Sequence, residues 1–94
     1  MEIQSYKQIQ DCLQGKNVWD IYLDTIINEQ FIASLKQLGK VVVQNFNAKP
    51  FFTLIVHGKY TLKGSIGNRS IRLILPDSAE RKIPEELIDF IEKI

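Results

Sequence analysis

At Lys40 the hydrophobic pattern changes period, and from there to Pro76 the chain reads as sheet. Val41-Val42-Val43 is a β-branched run that a helix resists and a strand favours. It predicts a strand over 41–46. Asn45 to Pro50 reads as a turn, because Pro50 forces Lys49 extended and has no amide to donate to a ladder. Phe51 to His57 then alternates, with Phe51, Thr53 and Ile55 on one side and Phe52, Leu54 and Val56 on the other. His57-Gly58-Lys59 is a tight turn, Tyr60 to Lys63 a return strand, and Gly64 to Asn68 a second turn. Arg69 to Leu75 comes back with Ile71, Leu73 and Leu75 on one face. Pro76-Asp77 ends the run. These segments make an antiparallel meander.

The flanks read as a mixture of helix and strand. Ser5-Tyr6-Lys7-Gln8 fits a capping box, and Tyr6, Ile9 and Leu13 follow at helical spacing before Gly15, which predicts a helix over 5–14. Val18 to Leu23 is a strand, with Trp19, Ile21 and Leu23 facing the core and Val18, Asp20 and Tyr22 facing away. Ile27, Phe31, Leu35 and Leu38 form one helical stripe, capped by Thr25 or Asn28 and stopped by Gly39, which predicts a helix over 28–38. Pro84, then Glu85-Glu86, then Leu87, Ile88, Ile91 and Ile94 mark a closing helix. The strands at 18–23 and 41–46 could be neighbours through a right-handed βαβ crossover, or not be neighbours at all. The expected fold class is α+β: a two-layer sandwich with a mostly antiparallel sheet of four or five strands, helices on one face, and a ferredoxin-like variant or small split barrel within reach.

Ninety-four residues make one domain, 1–94, and a chain this short buries only roughly 60–65% of its unfolded surface. Cys12 is the only cysteine, so neither a disulfide nor a cysteine-based zinc site assists the fold, and a reducing, cytoplasmic setting is expected. Met1-Glu2-Ile3-Gln4 lacks an apolar h-region, so no secretory signal is expected, and no apolar run approaches the ~20 residues of a membrane span. Both faces of residues 41–56 carry apolar side chains. Such strands are normally covered on both sides, and a second copy of the chain is the natural cover, which predicts a homodimer through a sheet face.

Charge is the strongest functional signal. Gln30 to Pro76 holds seven basic residues (Lys36, Lys40, Lys49, Lys59, Lys63, Arg69 and Arg72) and no Asp or Glu. The segments before and after it each carry a net charge of −3, and the whole chain only +1. A near-neutral total thus hides a basic middle between acidic ends. Lys59, Lys63, Arg69 and Arg72 are the candidate contacts for a protein partner or a small anion. Phe51, Phe52 and Tyr60 are candidate interface residues, or stacking platforms if the ligand is a nucleic acid.

Catalytic chemistry finds little footing. His57 is the only histidine and sits at a hairpin end without a visible partner. Cys12 reads as a small buried hydrophobe. Asp20 and Asp24 share a strand side but stand about 13 Å apart, too wide for a shared proton or a tight metal site. Gly64 to Arg69 could cradle an anion, with glycines freeing backbone amides and Lys63 and Arg69 flanking them. It also has the Gly-x-x-Gly form of a KH-type loop. But it lies between strands where that loop needs helices, and it lacks the Gly-Lys-Ser/Thr of a P-loop. No catalytic residue, metal ligand or cofactor is therefore nominated. The expectation is a small non-enzymatic binding module, with a nucleic-acid-binding domain as the alternative.

Overall fold

The computed structural model of the chain describes residues 1–11, 15–46 and 49–94. Six strands form one sheet: β1 (Ile3–Asp11), β2 (Gly15–Leu23), β3 (Lys40–Phe46), β4 (Lys49–Val56), β5 (Tyr60–Ser65) and β6 (Ser70–Ile74). Two helices complete it, α1 (Glu29–Leu35) between β2 and β3, and α2 (Glu85–Glu92) after β6. The strand order is β1-β2-β6-β5-β4-β3, and every pairing is antiparallel. The meander from β3 to β6 was legible in the alternation. Its last strand then accepts β2 along its free edge, and β1 folds back on β2.

This corrects the expected fold class. The sheet has six strands rather than four or five, is wholly antiparallel, and is accompanied by helices of only seven and eight residues. The protein is mostly sheet, not a helix-packed α+β sandwich, and a ferredoxin-like arrangement is excluded. β2 and β3 are not neighbours, since β2 sits between β1 and β6 while β3 is an outer strand paired only with β4. No βαβ crossover exists between them.

The largest correction is at the N-terminus. Residues 5–11 of the expected helix belong to β1, and the remainder of that prediction, with Cys12 and Leu13, lies outside the described residues. The supposed capping-box residues are ladder positions, Ser5 opposite Tyr22 and Gln8 opposite Trp19. Two helical turns would have buried little. A nine-residue strand instead pairs its inward backbone groups with those of β2 along one ladder.

Alternation sorts the sheet into two faces. One carries Ile21 and Leu23, Phe52 and Leu54, Tyr60 and Leu62, and Ile71, Leu73 and Leu75, all buried. Phe31, Ile32 and Leu35 of α1 and Leu87 and Ile91 of α2 join the same cluster. Phe31 meets Phe52 edge-to-face, with ring centroids 6.1 Å apart and planes at 64°. Such a pair contributes about 0.5–1.5 kcal/mol beyond its burial. α1 starts as read: the Asn28 side chain accepts from the Phe31 amide at 2.9 Å, so Asn28 and not Thr25 is the cap. It stops earlier than expected, and Gly39 is needed for another reason. A Cβ there would collide with the Ile55 carbonyl oxygen on β4.

One buried polar residue organises the connector after β6. Asn17 is 1% exposed. Its Nδ2 donates to the carbonyls of Pro76, Ala79 and Glu80 at 3.2–3.3 Å, and its Oδ1 accepts from Trp19 Nε1 at 3.2 Å. The Leu75 amide donates to the Asn17 carbonyl at 2.9 Å. Residues 75–80 are therefore strapped to β2 before the chain enters α2. Among the described residues no helix is long and apolar enough to cross a membrane.

Candidate functional site

The second face of the sheet is the surface that neither helix joins. Its described residues are exposed or half-exposed, apart from Val18, which is flanked in register by Ile9 and Ile74. A row of charged side chains crosses its middle. Lys7 on β1 is opposite Asp20 on β2, Asp20 opposite Arg72 on β6, and Arg72 opposite Lys63 on β5. Three cations and one carboxylate thus stand side by side on four strands. The row continues in uncharged form through Thr53 on β4 to Val42 on β3.

Arg72 already has a partner: its Nε donates to Asp20 Oδ1 at 2.9 Å and its Nη2 to Asp20 Oδ2 at 3.3 Å. A fork-to-fork pair of this kind fixes the guanidinium plane as well as neutralising it. Lys63 forms no ion pair with any described residue, and its direct cross-strand neighbour is a like charge. Beside the row lies a hollow of about 300 Å³ whose lining includes Asp20, Phe51, Lys63, Ser65, Asn68, Ser70 and Arg72. Two hydroxyls, an amide, an ammonium and a guanidinium edge offer donors, and Phe51 offers an apolar wall.

The other sequence candidates do not converge on this place. Lys59 is in the β4–β5 turn and Arg69 in the β5–β6 turn, at opposite ends of β5. The Lys59 ammonium lies 3.9 Å from Glu86 Oε1 of α2, with both side chains mostly exposed. Arg69 is exposed, and its carbonyl accepts from the Leu23 amide at 2.7 Å. Phe52 is fully buried and Tyr60 is 5% exposed. Neither presents a face for a base to stack on, so of the three aromatic candidates only Phe51 borders the open face. Burial, with the Glu86 carboxylate nearby, pushes the Tyr60 phenol above its ordinary value.

The glycine loop is used up structurally. The Ile66 amide donates to the Pro50 carbonyl at 3.1 Å, Gly67 to Ile27 at 3.0 Å and Asn68 to Ser65 at 3.2 Å. The amides that an anion would need are committed to carbonyls. Gly67 has φ +92°, which only glycine adopts without strain. Gly64 faces the core, where a Cβ would come within 2.9 Å of Phe52 Cε1 and 3.1 Å of Ile71 Cγ2. The segment is a turn docked on the β2–α1 connection. His57 is exposed beside Gly58. Asp24 does not act with Asp20: its Oδ1 accepts from the Glu2 amide at 2.9 Å and the Thr25 hydroxyl at 3.0 Å, which holds its carboxyl below the ordinary value. No group of three His, Cys, Asp or Glu side chains placed to hold a metal occurs among the described residues.

Of the sequence candidates, Lys63, Arg72 and Phe51 lie together on the open face, and their neighbours Lys7, Asp20, Ser65 and Ser70 were not among the candidates. Strand order is what assembles them, and period-two alternation does not encode it. No protein family, characterised protein or solved structure matches the chain.

Proposed function

We propose that the protein is a non-enzymatic binding module that takes an acidic protein segment on its open sheet face, with a carboxylate of the partner seated beside Lys63. The observation that carries this reading is the row Lys7–Asp20–Arg72–Lys63, which sets two like charges in direct opposition across β5 and β6. Opposed like charges cost stability, and an anion placed between them relieves that cost. Serine hydroxyls and the Asn68 amide around the hollow suit the remaining lone pairs of a carboxylate. The lone Cys12 fits a reducing compartment, and we infer a cytoplasmic setting from it.

Self-association through this same face does not suit the charge row, because stacking two copies would bring net-positive rows together. A nucleic acid is less well served than a peptide, since Phe51 is the one aromatic candidate left at the surface and Phe52 and Tyr60 are in the core. The test is fluorescence polarisation with three labelled probes: a glutamate-rich peptide, single-stranded RNA and single-stranded DNA. The peptide is expected to bind, to weaken as salt rises, and to be lost with Lys63→Glu. Preferential binding of RNA or DNA, with a log-linear salt dependence, replaces this reading by the nucleic-acid one. Absence of peptide binding at low salt overturns it.

A further inference from the structure

The sheet has two outer strands, and they are not alike. β1 is broken by register irregularities between Ile3 and Ser5 and between Ile9 and Asp11, and it carries Lys7 in its middle. Bulges and charges are how edges are protected from pairing. β3 has neither protection over its central stretch. Its seven residues pair with β4 in an unbroken register from Lys40↔Ile55 to Phe46↔Lys49. Its centre is Val41-Val42-Val43, and Val43 is 48% exposed. Among the described residues, no backbone group of β3 is hydrogen-bonded to a backbone group outside the sheet. An unbulged, β-branched edge with free amides and carbonyls is a template for another strand.

We infer that this edge pairs with the β3 edge of a second copy, antiparallel and centred on Val42. Two observations select that occupant and that register. The first is self-complementarity. A two-fold axis through the sheet at Val42 keeps each face on its own side and sets Val42 opposite itself, Val41 opposite the other copy's Val43, and Lys40 opposite its Gln44. Apolar residues then meet apolar residues on both faces, as an isologous contact requires. The second is charge. Residues 40–46 contain one charged side chain, Lys40. In this register the two Lys40 positions lie four residues apart, about 14 Å along the strands, so no like charges are opposed. The core-side residues Val41 and Val43 of each copy form one continuous apolar strip across the joint. The irregular β1 strands are left at the outer ends of the joined sheet, so the contact closes at two copies instead of propagating. The charged row on the open face stays accessible in both.

Sedimentation velocity and light scattering from about 10 μM to about 1 mM span the range in which a small interface dissociates. The expected result is a reversible rise in mass toward twice that of the single chain. Val42→Asp places two carboxylates face to face and is expected to weaken association at least about tenfold, equivalent to about 1.4 kcal/mol. Val42 is half-exposed on an outer strand, so circular dichroism should show this variant folded. Val42→Thr, which keeps the β-branch, should retain most of the association. Cross-linking reads the register directly. In a Cys12→Ser background, Val42→Cys should form a disulfide-linked dimer under mild oxidation, because directly opposed Cα atoms lie within bridging distance. Gln44→Cys should not, since its symmetry mate is four residues away. A chain that stays monomeric to the top of the range overturns the inference. So does association unchanged in folded Val42→Asp, or cross-linking at position 44 as fast as at 42. A monomer that instead captures an added extended peptide at this edge also overturns it, by assigning the edge to another occupant.

Discussion

Lys63→Glu is expected to make the protein more stable and less able to bind. Lys63 and Arg72 are direct cross-strand neighbours, and directly opposed like charges are destabilising by about 0.2–1 kcal/mol. Two features of the site lower that figure. Arg72 is held by Asp20 through two hydrogen bonds, which offsets part of its charge, and Lys63 is half-exposed, so solvent screens it. Asp20 lies two strands from Lys63, about 10 Å away, near the Debye length at ordinary salt, and contributes little to Lys63 directly. Replacing repulsion with attraction at one pair should therefore gain about 0.5–1 kcal/mol. For a domain of this size that is a rise in Tm of roughly 3–6 °C. Thermal unfolding followed by circular dichroism at low salt and at about 1 M salt is the assay, and the gain should shrink at high salt. Acidic-peptide binding is measured on the same samples. A lower Tm for Lys63→Glu at low salt would refute the electrostatic account of the row. So would a gain that is indifferent to salt.

Three other substitutions follow from the packing. Asn17→Ala removes the partner of Trp19 Nε1 and of three connector carbonyls, and should cost about 2–3 kcal/mol in urea unfolding, part of it recovered as residues 76–80 lift toward water. Gly64→Ala should cost about 1–3 kcal/mol, because the new methyl group presses on Phe52, which is fully buried and in contact with Phe31. Asp24→Asn tests the N-terminal tie. The Asp24 carboxyl is held below its ordinary value first by the Glu2 amide and then by the Thr25 hydroxyl, so the stability it adds is present above the unfolded-state value and is lost as pH falls through the lower folded-state one. The difference between parent and variant should be constant near neutral pH and disappear in acid.

The sheet's interior was legible because it obeys a local rule. Alternation placed Ile71, Leu73 and Leu75 on one face and put Trp19, Ile21 and Leu23 opposite Val18, Asp20 and Tyr22. Burial follows it except at Val18, read as facing away but fully buried between Ile9 and Ile74. The stripe Ile27, Phe31 and Leu35 and the Asn28 cap are equally local. β1 was misread because Tyr6, Ile9 and Leu13 satisfy helical spacing, while its strand form depends on an edge of β2 that exists only after folding. Gly39 and Gly64 looked like punctuation. Their need for hydrogen in place of a methyl group comes from Ile55 and Phe52, which lie distant in sequence. Asn17 gave one usable sign, a polar amide at the head of an apolar strand where asparagine is disfavoured. Its partners could not be named before the connector's path was known.

The strand form of β1 changes the charge of the open face as well as the fold. With a helix at 5–14, β2 would be an outer strand and Asp20 would face only Arg72, leaving a balanced pair beside a single lysine. As a strand, β1 brings Lys7 to the other side of Asp20, and the row's net charge rises from +1 to +2. The acidic C-terminal segment goes the other way. Leu87 and Ile91 anchor α2 on the core face, and Glu85, Glu86, Asp89 and Glu92 are exposed on that layer. The exposed carboxylates of α2 thus lie on the helix side of the sheet, while Lys7, Lys63 and Arg72 stand around Asp20 on the open face. On the proposed reading, an acidic segment is drawn to the open face and held off the α2 side. The consequence is kinetic. Neutralising α2, by Glu85→Gln together with Asp89→Asn, should leave the dissociation rate of a bound acidic peptide unchanged, because those side chains do not border the hollow. Its association rate should change by no more than a few-fold at low salt and not at all at high salt. A changed dissociation rate would place the peptide against α2 and remove the open face as its site.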